Sequence, residues 1–429
     1  MEAFEDIKKY VDMVCEQIRW QKARPFVAKE IKEHILDQRD AYVLDGDSIP
    51  TATKKALLQM GDAVTLGTEL DKIHRPQPQW IMIFLTGLLM LLGSLTNLFI
   101  PETTIPFGVV SHILAFVIFL LAYFSDFTLL RNYALLFYFI FLICSVLTIS
   151  FSTFVDGVAY FSLGNHGFSL AYLSFLFPLA FSMLIYALRN KGNRGICLCG
   201  IGGLPFFFLS YYISSFSGFL LVSISYSTLL IYSTTKGWFQ GSKIKNFLTL
   251  FFIISLPILF SFIYNHVFST ERLDTFSPMI HDLLRGSSLI GKGSYSQTLE
   301  YTITLIPLST HDYTLVFFIY RFGFLPFIAL LLLFLTFSVI GLYYMTKQKS
   351  VLGSLISLSI LLTFMLQSAF YTLDNLLCYT KTTLSLPFIS YSKVALIINA
   401  LLIGFLLSVF RTGDVFFDTT KNTDMMLVD

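Results

Sequence analysis

Acidic, basic and histidine side chains gather in one stretch of an otherwise apolar chain. Carboxylates and imidazoles are the groups that move protons in enzyme sites, and Arg and Lys bind phosphates. A solvated loop has the same composition, so charge alone does not separate a reactive site from a surface loop. The stretch covers residues 268–312 and holds Glu271, Arg272, Asp274, His281, Asp282, Arg285, Lys292, Glu300, His311 and Asp312.

Asp312 has the best position in this stretch for proton transfer. It ends the sequence Thr310-His311-Asp312, where a polar segment gives way to an apolar run. A carboxylate that is partly desolvated at a membrane boundary can act as a general base. The same position suits an Asp that caps the N-terminus of a helix, so both interpretations stay open.

Two cations near Asp312 are candidates for binding an anion. Lys292 lies in the turn Gly291-Lys292-Gly293, which lets the backbone approach a phosphate but lacks the spacing of a P-loop. An anionic lipid headgroup or a pyrophosphate fits a membrane face better than a nucleotide does. Arg321 lies about two and a half turns into the next apolar run. That depth requires a partner or a wet cavity, unless the side chain snorkels to the interface.

The elements that must position these residues are transmembrane helices. The chain has 429 residues, of which 55% are hydrophobic and 13% charged, and this composition excludes an ordinary soluble domain. From Trp80 onward, apolar runs of the length that a bilayer requires recur between short polar breaks. We predict an all-α polytopic membrane protein with ten spans, at about 80–100, 106–124, 132–153, 168–188, 195–212, 215–234, 245–267, 313–344, 351–372 and 393–411.

The distribution of basic residues favours ten spans over nine, a count that the weak boundary near Tyr211–Phe216 leaves open. With ten spans both termini share one side, and the loops on that side together with Arg411 carry ten Lys or Arg against five on the other. Lys and Arg are enriched on the cytoplasmic side of membrane proteins. We therefore predict a bacterial plasma-membrane protein with both termini in the cytoplasm and large outer loops at about 154–167, 268–312 and 373–392.

The first 79 residues form a cytosolic helical domain of their own. They precede any apolar run, and the first 80 residues hold 12 Lys or Arg and 14 Asp or Glu. Apolar spacing predicts helices over 2–19 and 27–44, a third that starts at Ser48-Ile49-Pro50 and ends near Met60, and a fourth from Asp62 to about His74. The predicted domains are thus 1–79, the membrane domain 80–411 with its large loop 268–312, and a cytosolic tail 412–429.

Several kinds of chemistry are excluded. The sequence has no P-loop, nucleophile elbow or H-E-x-x-H zinc motif, and its five cysteines show no pairing pattern. A net charge of +2 without a basic face gives no sign of a nucleic-acid partner. We predict no metal site, and the sequence requires no cofactor, although it leaves a divalent cation open.

Two stretches resemble the SEDS family (FtsW, RodA and SpoVE). The first is Leu386-Pro387-Phe388-Ile389-Ser390-Tyr391, followed by an apolar span that ends in Gly404-Phe405-Leu406-Leu407-Ser408-Val409. The second is the spacing of Pro307, Asp312 and Gly323, with Gly291-Lys292-Gly293 upstream. The N-terminal domain resembles the permease prefix domain in the segments 30–38, 60–62 and 70–76.

The resemblance implies a peptidoglycan glycosyltransferase that polymerises lipid II in cell division, elongation or sporulation. It gives Asp312 the role of activating the acceptor sugar hydroxyl. A class B penicillin-binding protein is the implied partner, beside the lipid bilayer. The substrate-binding residues that we predict are Arg272, Lys292, His311, Arg321, Pro387 and Ser390.

The sequence also departs from the family pattern. The Arg, Trp and Glu that members carry near 156–172 are missing, Tyr320 and Arg321 replace an acidic pair, and Ser392-Lys393 replace a double Gly. These departures support an alternative, a catalytically degenerate protein that binds a lipid-linked precursor or scaffolds a wall-synthesis partner. A flippase for lipid-linked precursor is a lower alternative, since the chain shows no inverted repeat of broken spans.

Overall fold

The computed structural model describes residues 2–98, 105–155, 158–163, 166–213, 216–268, 277–293, 313–377, 384–390 and 392–413. The chain divides into two compact units, Met1–Pro78 with Arg411–Asp429, and Gln79–Phe410. The predicted site residues Arg272, His311 and Asp312 lie outside the described residues.

Four helices form the first unit: α1 (Glu2–Gln17), α2 (Arg24–Leu44), α3 (Ile49–Met60) and α4 (Ala63–His74). Their bounds lie within a few residues of those expected from the apolar spacing. The backbone amide of Arg19, just after α1, donates to Oδ1 of the buried Asp71 on α4 over 2.8 Å. The apolar core is built from all four helices and includes Ile7, Val14, Ile18, Val27, Ile35, Ala56 and Ala63.

The predicted start signals of α3 and α4 behave differently. Asp62 caps α4 as expected, because its Oδ2 accepts hydrogen bonds of 2.8 Å from both the amide and the hydroxyl of Thr65. Ser48 occupies the N-cap position of α3, but its hydroxyl pairs with the Thr51 hydroxyl at 2.8 Å and caps no amide. Only Asp62 therefore satisfies a free amide of its helix.

Apolar helices make up the second unit. Seven helical segments among the described residues are long and apolar enough to cross a membrane, and Trp80–Thr96 and Val110–Phe124 are shorter apolar helices. The helices are α5 (Trp80–Leu98), α6 (Ile105–Phe124), α7 (Leu130–Ser150), α8 (Phe177–Leu188), α9 (Gly192–Ile213), α10 (Phe216–Thr235), α11 (Lys243–Phe268), α12 (Ser277–Arg285), α13 (Thr314–Phe322), α14 (Phe324–Lys347), α15 (Val351–Leu377) and α16 (Lys393–Thr412).

Helices occupy all ten predicted spans. One of the seven segments, Leu170–Ile213, covers 44 residues and contains both α8 and α9, joined by a 3₁₀ turn at Arg189–Lys191. Helix α9 ends at Ile213 and α10 begins at Phe216, and the two pack against each other. The uncertain boundary therefore separates two helices, and the all-α polytopic fold predicted from the sequence is confirmed.

Helix α8 lies at the centre of this unit. Eleven of its 12 residues are buried, and it packs against α7, α9, α10 and α15. A 3₁₀ helix, Leu170–Phe175, precedes it and is buried as well. The Thr363 hydroxyl on α15 donates to the carbonyl of Phe175 at 3.4 Å. Backbone that is not α-helical is tolerated among membrane helices only where other protein groups enclose it.

The structure differs from the sequence-based expectations in several places. The eighth predicted span, 313–344, is two helices that meet at Gly323. The predicted loop 154–167 contains an antiparallel sheet of β1 (Thr153–Val155), β2 (Val158–Leu163) and β3 (His166–Ser169), in the order β1-β2-β3. Helix α15 runs to Leu377, five residues beyond the expected end at 372. Hydropathy windows detect neither the break nor the sheet, because both segments are rich in apolar residues, and they end α15 early because Asp374 and Asn375 are polar.

Acidification is expected to loosen the start of α4. The hydrogen bonds from Thr65 hold the pKa of the Asp62 carboxyl below its ordinary value. Their stabilisation is therefore complete above the unfolded-state pKa and is lost as the pH falls through the lowered folded-state pKa, below about pH 4. Hydrogen exchange of the α4 amides, corrected for intrinsic rates, should show protection that falls in this range.

Two variants control that experiment in the full-length protein. Asp62→Ala should show the loss of protection already at neutral pH. Ser48→Ala should leave the protection of α3 unchanged, because the Ser48 side chain caps no amide. Protection of α4 that is independent of both pH and Asp62 would contradict the role of this cap.

Candidate functional site

The break at Gly323 organises the region that the sequence identified. Gly323 has φ +96° and ψ 173°, which ends α13 and starts α14 in a new direction. A β-carbon at this position would lie 2.6 Å from the carbonyl oxygen of Leu289 and 2.8 Å from the Cα of Ile290. Only glycine combines this backbone conformation with so close a neighbour.

The glycine-rich turn 286–293 supplies partners for the backbone groups at the break. The amides of Gly291 and Gly293 each donate over 2.9 Å, to the carbonyls of Phe322 and Tyr320 respectively. In the other direction, the amide of Phe324 donates to the carbonyl of Ser288 at 3.1 Å, and that of Leu325 to the carbonyl of Leu289 at 3.0 Å. The turn thus caps the end of α13 and the start of α14 together.

This pairing limits how the turn can bind an anion. The amides of Gly291 and Gly293 point to helix carbonyls, so they do not form the phosphate cradle that a glycine-rich turn suggests. The Ser288 hydroxyl points to carbonyls of the same turn, at 2.7 Å from that of Gly291. What the turn offers to an anion is the exposed side chain of Lys292.

The same hydrogen bonds bring two predicted cations onto facing segments. Gly291 and Gly293 flank Lys292, and their acceptors, on Phe322 and Tyr320, flank Arg321. Both cations are exposed. Arg321 therefore lies in the last turn of the short helix α13, where a cation complements the helix dipole. The candidate span begins at Phe324, so Arg321 precedes that span instead of lying inside it.

Helix α12 packs against α13 and completes this assembly. Ile280 and Leu283 of α12 are buried against Val316 and Tyr320 of α13, with Leu284, Tyr313 and Phe317 around them. The Tyr320 ring also closes over Gly293, where a β-carbon would lie 2.9 Å from the ring. Helix α12, the turn and helix α13 are therefore packed as one block.

The other end of α13 is held by α15. The amide of Thr314, the first residue of α13, donates to the hydroxyl of Tyr371 at 3.1 Å, and Tyr371 is fully buried. Asp312 is two residues before Thr314 in the sequence. The structure thus fixes the backbone directly after the predicted catalytic segment.

Helix α15 presents further buried polar groups that the sequence analysis missed. One turn before Tyr371, Gln367 Nε2 donates to Asn399 Oδ1 of α16 over 2.6 Å, and both side chains are at least 98% buried. Asp374 follows Tyr371 by about one turn and is 6% exposed. The signal was present in the sequence as polar residues three or four apart inside an apolar run, the spacing of one helix face. The span predicted from the sequence ends at 372, which places Asp374 in a loop.

Pro387 and Ser390 lie in a buried turn, and every residue of 384–390 is buried. The hydroxyl and the amide of Ser390 both donate to the carbonyl of Leu386, each over 3.1 Å. Phe388 between them has φ +64°, a strained conformation for a residue with a side chain. A β-carbon at Gly93 of α5 would overlap the Phe388 carbonyl. These contacts give the signature segment a packing role, and substrate contact by Pro387 or Ser390 stays a prediction.

Within the part of the chain that the structure describes, no three His, Cys, Asp or Glu side chains are grouped so that they could hold a metal ion.

Comparison with known proteins identifies the fold. No protein-family model and no curated protein sequence matches the chain. A solved peptidoglycan synthase complex, described as coordinating polymerization and crosslinking, contains a chain with TM-score 0.60 and 18% identity, matched over 78% of this chain and 98% of that one. The rod-shape-determining protein RodA of Thermus thermophilus matches with TM-score 0.52 and 18% identity, over 78% of this chain and 97% of RodA. An Asp-to-Ala variant of the same RodA matches with TM-score 0.55 and 17% identity, over 78% and 98%.

These likenesses confirm the fold that the SEDS resemblance implied. The chain has a RodA-like membrane fold, and the match covers almost the whole length of each compared chain.

Replacing Gly323 by Ala should separate the turn from the break. The variant introduces about 1–3 kcal/mol of backbone strain and an overlap with Leu289. Gly237→Ala is the matched control, since Gly237 also has a positive φ, +73°, but nothing within 4 Å of its β-carbon position. Hydrogen exchange of residues 288–293 should rise in Gly323→Ala and stay unchanged in Gly237→Ala. Equal behaviour of the two variants would contradict the coupling.

Removing the Tyr371 hydroxyl should release the start of α13. Tyr371→Phe keeps the ring and deletes the acceptor of the Thr314 amide, a loss of about 1 kcal/mol. Tyr226→Phe is the matched control, because the buried Tyr226 hydroxyl donates to the Cys199 carbonyl at 2.8 Å, between α10 and α9. We expect faster exchange of the Thr314 amide in Tyr371→Phe only. An unchanged Thr314 amide would show that this hydrogen bond does not hold α13.

Proposed function

We propose that this chain is a divergent SEDS-type peptidoglycan glycosyltransferase that polymerises lipid II, with Asp312 as its general base. The observation that carries the proposal is the RodA-like fold, together with a fixed helix directly after Asp312. The family resemblance gives an Asp at this position the role of activating the acceptor. The wider process is bacterial cell-wall synthesis in division, elongation or sporulation.

The proposed chemistry needs one base and a stabilised leaving group. The acceptor sugar hydroxyl attacks the anomeric carbon of the donor and forms a new glycosidic bond while its proton passes to the Asp312 carboxylate. The bond between the anomeric carbon and the pyrophosphate breaks, and the lipid pyrophosphate leaves with the electron pair. A sugar hydroxyl is a weak nucleophile until a positioned base removes its proton.

Lys292 and Arg321 are the groups that we assign to the pyrophosphate. They lie on facing segments that the turn's hydrogen bonds hold in register, and both are exposed. Arg and Lys are the side chains that bind phosphates in proteins. Arg272 and His311 are assigned to substrate from the resemblance alone, as are Pro387 and Ser390.

The orientation and partners follow from the same proposal. The excess of Lys and Arg on one side predicts that both termini are cytoplasmic, which puts the turn 286–293 and Asp312 on the outer face of the membrane. There the undecaprenyl chain of lipid II lies in the bilayer and its sugars lie outside. A class B penicillin-binding protein is the proposed partner, and the first unit, similar to the permease prefix domain, is a proposed cytosolic docking module.

The second candidate function is a non-catalytic protein that binds a lipid-linked precursor or scaffolds a partner. The specific observation in its favour is the loss of charged groups that family members carry near 156–172, and the replacement of an acidic pair by Tyr320 and Arg321. Tyr320 is buried in the packing with α12, so it does not replace a carboxylate in chemistry.

A polymerisation assay decides between the two candidates. Purified protein, alone and with a class B penicillin-binding protein, should extend lipid II into glycan chains, and Asp312→Ala should lower the rate by about 10²–10⁴. Asp282→Ala is the matched control, because Asp282 is an exposed carboxylate in the same predicted loop and should keep wild-type activity. Polymer from Asp312→Ala at the wild-type rate would remove Asp312 as the base. No polymer from folded wild-type protein under either condition would favour the binding or scaffold function.

A further inference from the structure

Two large aliphatic side chains stand exposed at the tip of the glycine-rich turn. Leu289 is 74% exposed and Ile290 is 70% exposed. They follow Gly286, Ser287 and Ser288 and precede Gly291, so the rest of the turn is small and polar. Single exposed apolar residues are common, but these two are adjacent and form a small apolar patch on a turn that is hydrogen-bonded to α13 and α14.

The tip is fixed at the level where a membrane span begins. The amides of Phe324 and Leu325, the first two residues of α14, donate to the carbonyls of Ser288 and Leu289. Helix α14 is the candidate membrane span Phe324–Lys347. Its own first turns expose Leu325 by 52% and Ile328 by 47%, as expected of a face turned to lipid. Leu289 and Ile290 therefore lie beside the end of a span rather than far out in water.

Basic side chains surround this tip. Arg285, Lys292 and Arg321 are exposed, and Asp282 is the acidic residue of the described segments 277–293 and 313–325. Aliphatic residues next to Lys and Arg are typical of segments that lie in the membrane interface. There the aliphatic groups reach the acyl chains and the cations reach the anionic headgroups.

We propose that residues 285–292 form an interfacial anchor that binds the bilayer. Leu289 and Ile290 insert at the boundary between headgroups and acyl chains, and Arg285 and Lys292 bind the phosphates of anionic phospholipids, Lys292 doing so where no lipid pyrophosphate occupies it. The partner is the lipid surface itself, in the leaflet that α14 enters at Phe324. Because the turn is hydrogen-bonded to α13 and to α14, the anchor sets the depth of the break at Gly323.

The test uses full-length protein in lipid nanodiscs and measures depth, so it needs no enzymatic activity. A single cysteine in place of Leu289, in a chain whose five native cysteines are replaced, carries a bimane fluorophore. Leu44→Cys is the matched control, because Leu44 is an 89% exposed leucine at the end of α2. Lipids that carry a nitroxide just below the headgroup should quench the label at position 289 several-fold more strongly than the label at position 44.

A second experiment tests the role of the basic side chains. Phosphatidylglycerol added to phosphatidylcholine nanodiscs should increase the lipid quenching at position 289. Arg285→Gln combined with Lys292→Gln should abolish that increase while leaving the quenching in phosphatidylcholine alone in place.

Three results would overturn the proposal. They are equal lipid quenching at positions 289 and 44, quenching at position 289 by aqueous iodide instead of by lipid, and an effect of phosphatidylglycerol that survives both substitutions. A protein that shows the expected quenching but polymerises no lipid II would overturn the proposed function and leave the anchor standing.

Discussion

The backbone around Gly323 depends on one constraint, which is that polar groups freed by a helix break beside a bilayer must find partners in the protein. An unpaired backbone amide or carbonyl that is buried away from water costs about 1–3 kcal/mol. At this break the carbonyls of Tyr320 and Phe322 and the amides of Phe324 and Leu325 are all satisfied by residues 288–293. The break therefore depends on the hydrogen bonds that the turn supplies. The turn can come this close only because residue 323 is a glycine.

Because of this constraint, α13 is a separate short helix that is held by contacts at its end, its side and its start. Its end is bound to the turn, its side is packed on α12, and its start is bound to Tyr371. Tyr371 is in turn held in a helix that Gln367 links to Asn399 on α16. A general base works only when it is within hydrogen-bond reach of the proton it removes. A helix fixed at both ends directly after Asp312 meets the backbone part of that requirement.

The sequence predicted the elements well and their interruptions poorly, for a physical reason. Apolar run length located helices at all ten spans, because the bilayer selects for length and hydropathy along the whole segment. The break at Gly323 has no such signature, since Phe322, Phe324 and Leu325 are as apolar as a continuous span requires. Its cause is tertiary, a contact with residues more than thirty positions upstream.

The candidate site likewise contains features that the sequence predicts and features that only the fold shows. The glycines at 291, 293 and 323 were identified from their spacing in the chain, but the contact between them appears only in the fold. Asp374 is not predicted because polar residues near the end of an apolar run indicate the start of a loop, and the contact of Tyr371 with α13 appears only in the fold. Asp312, His311 and Arg272 stay predictions from sequence, as they lie outside the described residues.

The departure at Tyr320 and Arg321 is more than the loss of an acidic pair, because the fold shows what each replacement contacts. Tyr320 fills the interface with α12 and covers Gly293. A charged carboxylate in the same place would lose its hydration. Arg321 lies between the two carbonyls that accept from Gly291 and Gly293, the neighbours of Lys292, so both segments carry an exposed cation. The departure therefore puts a positive charge where the family resemblance implies negative ones, which supports the proposed binding of phosphates at this surface.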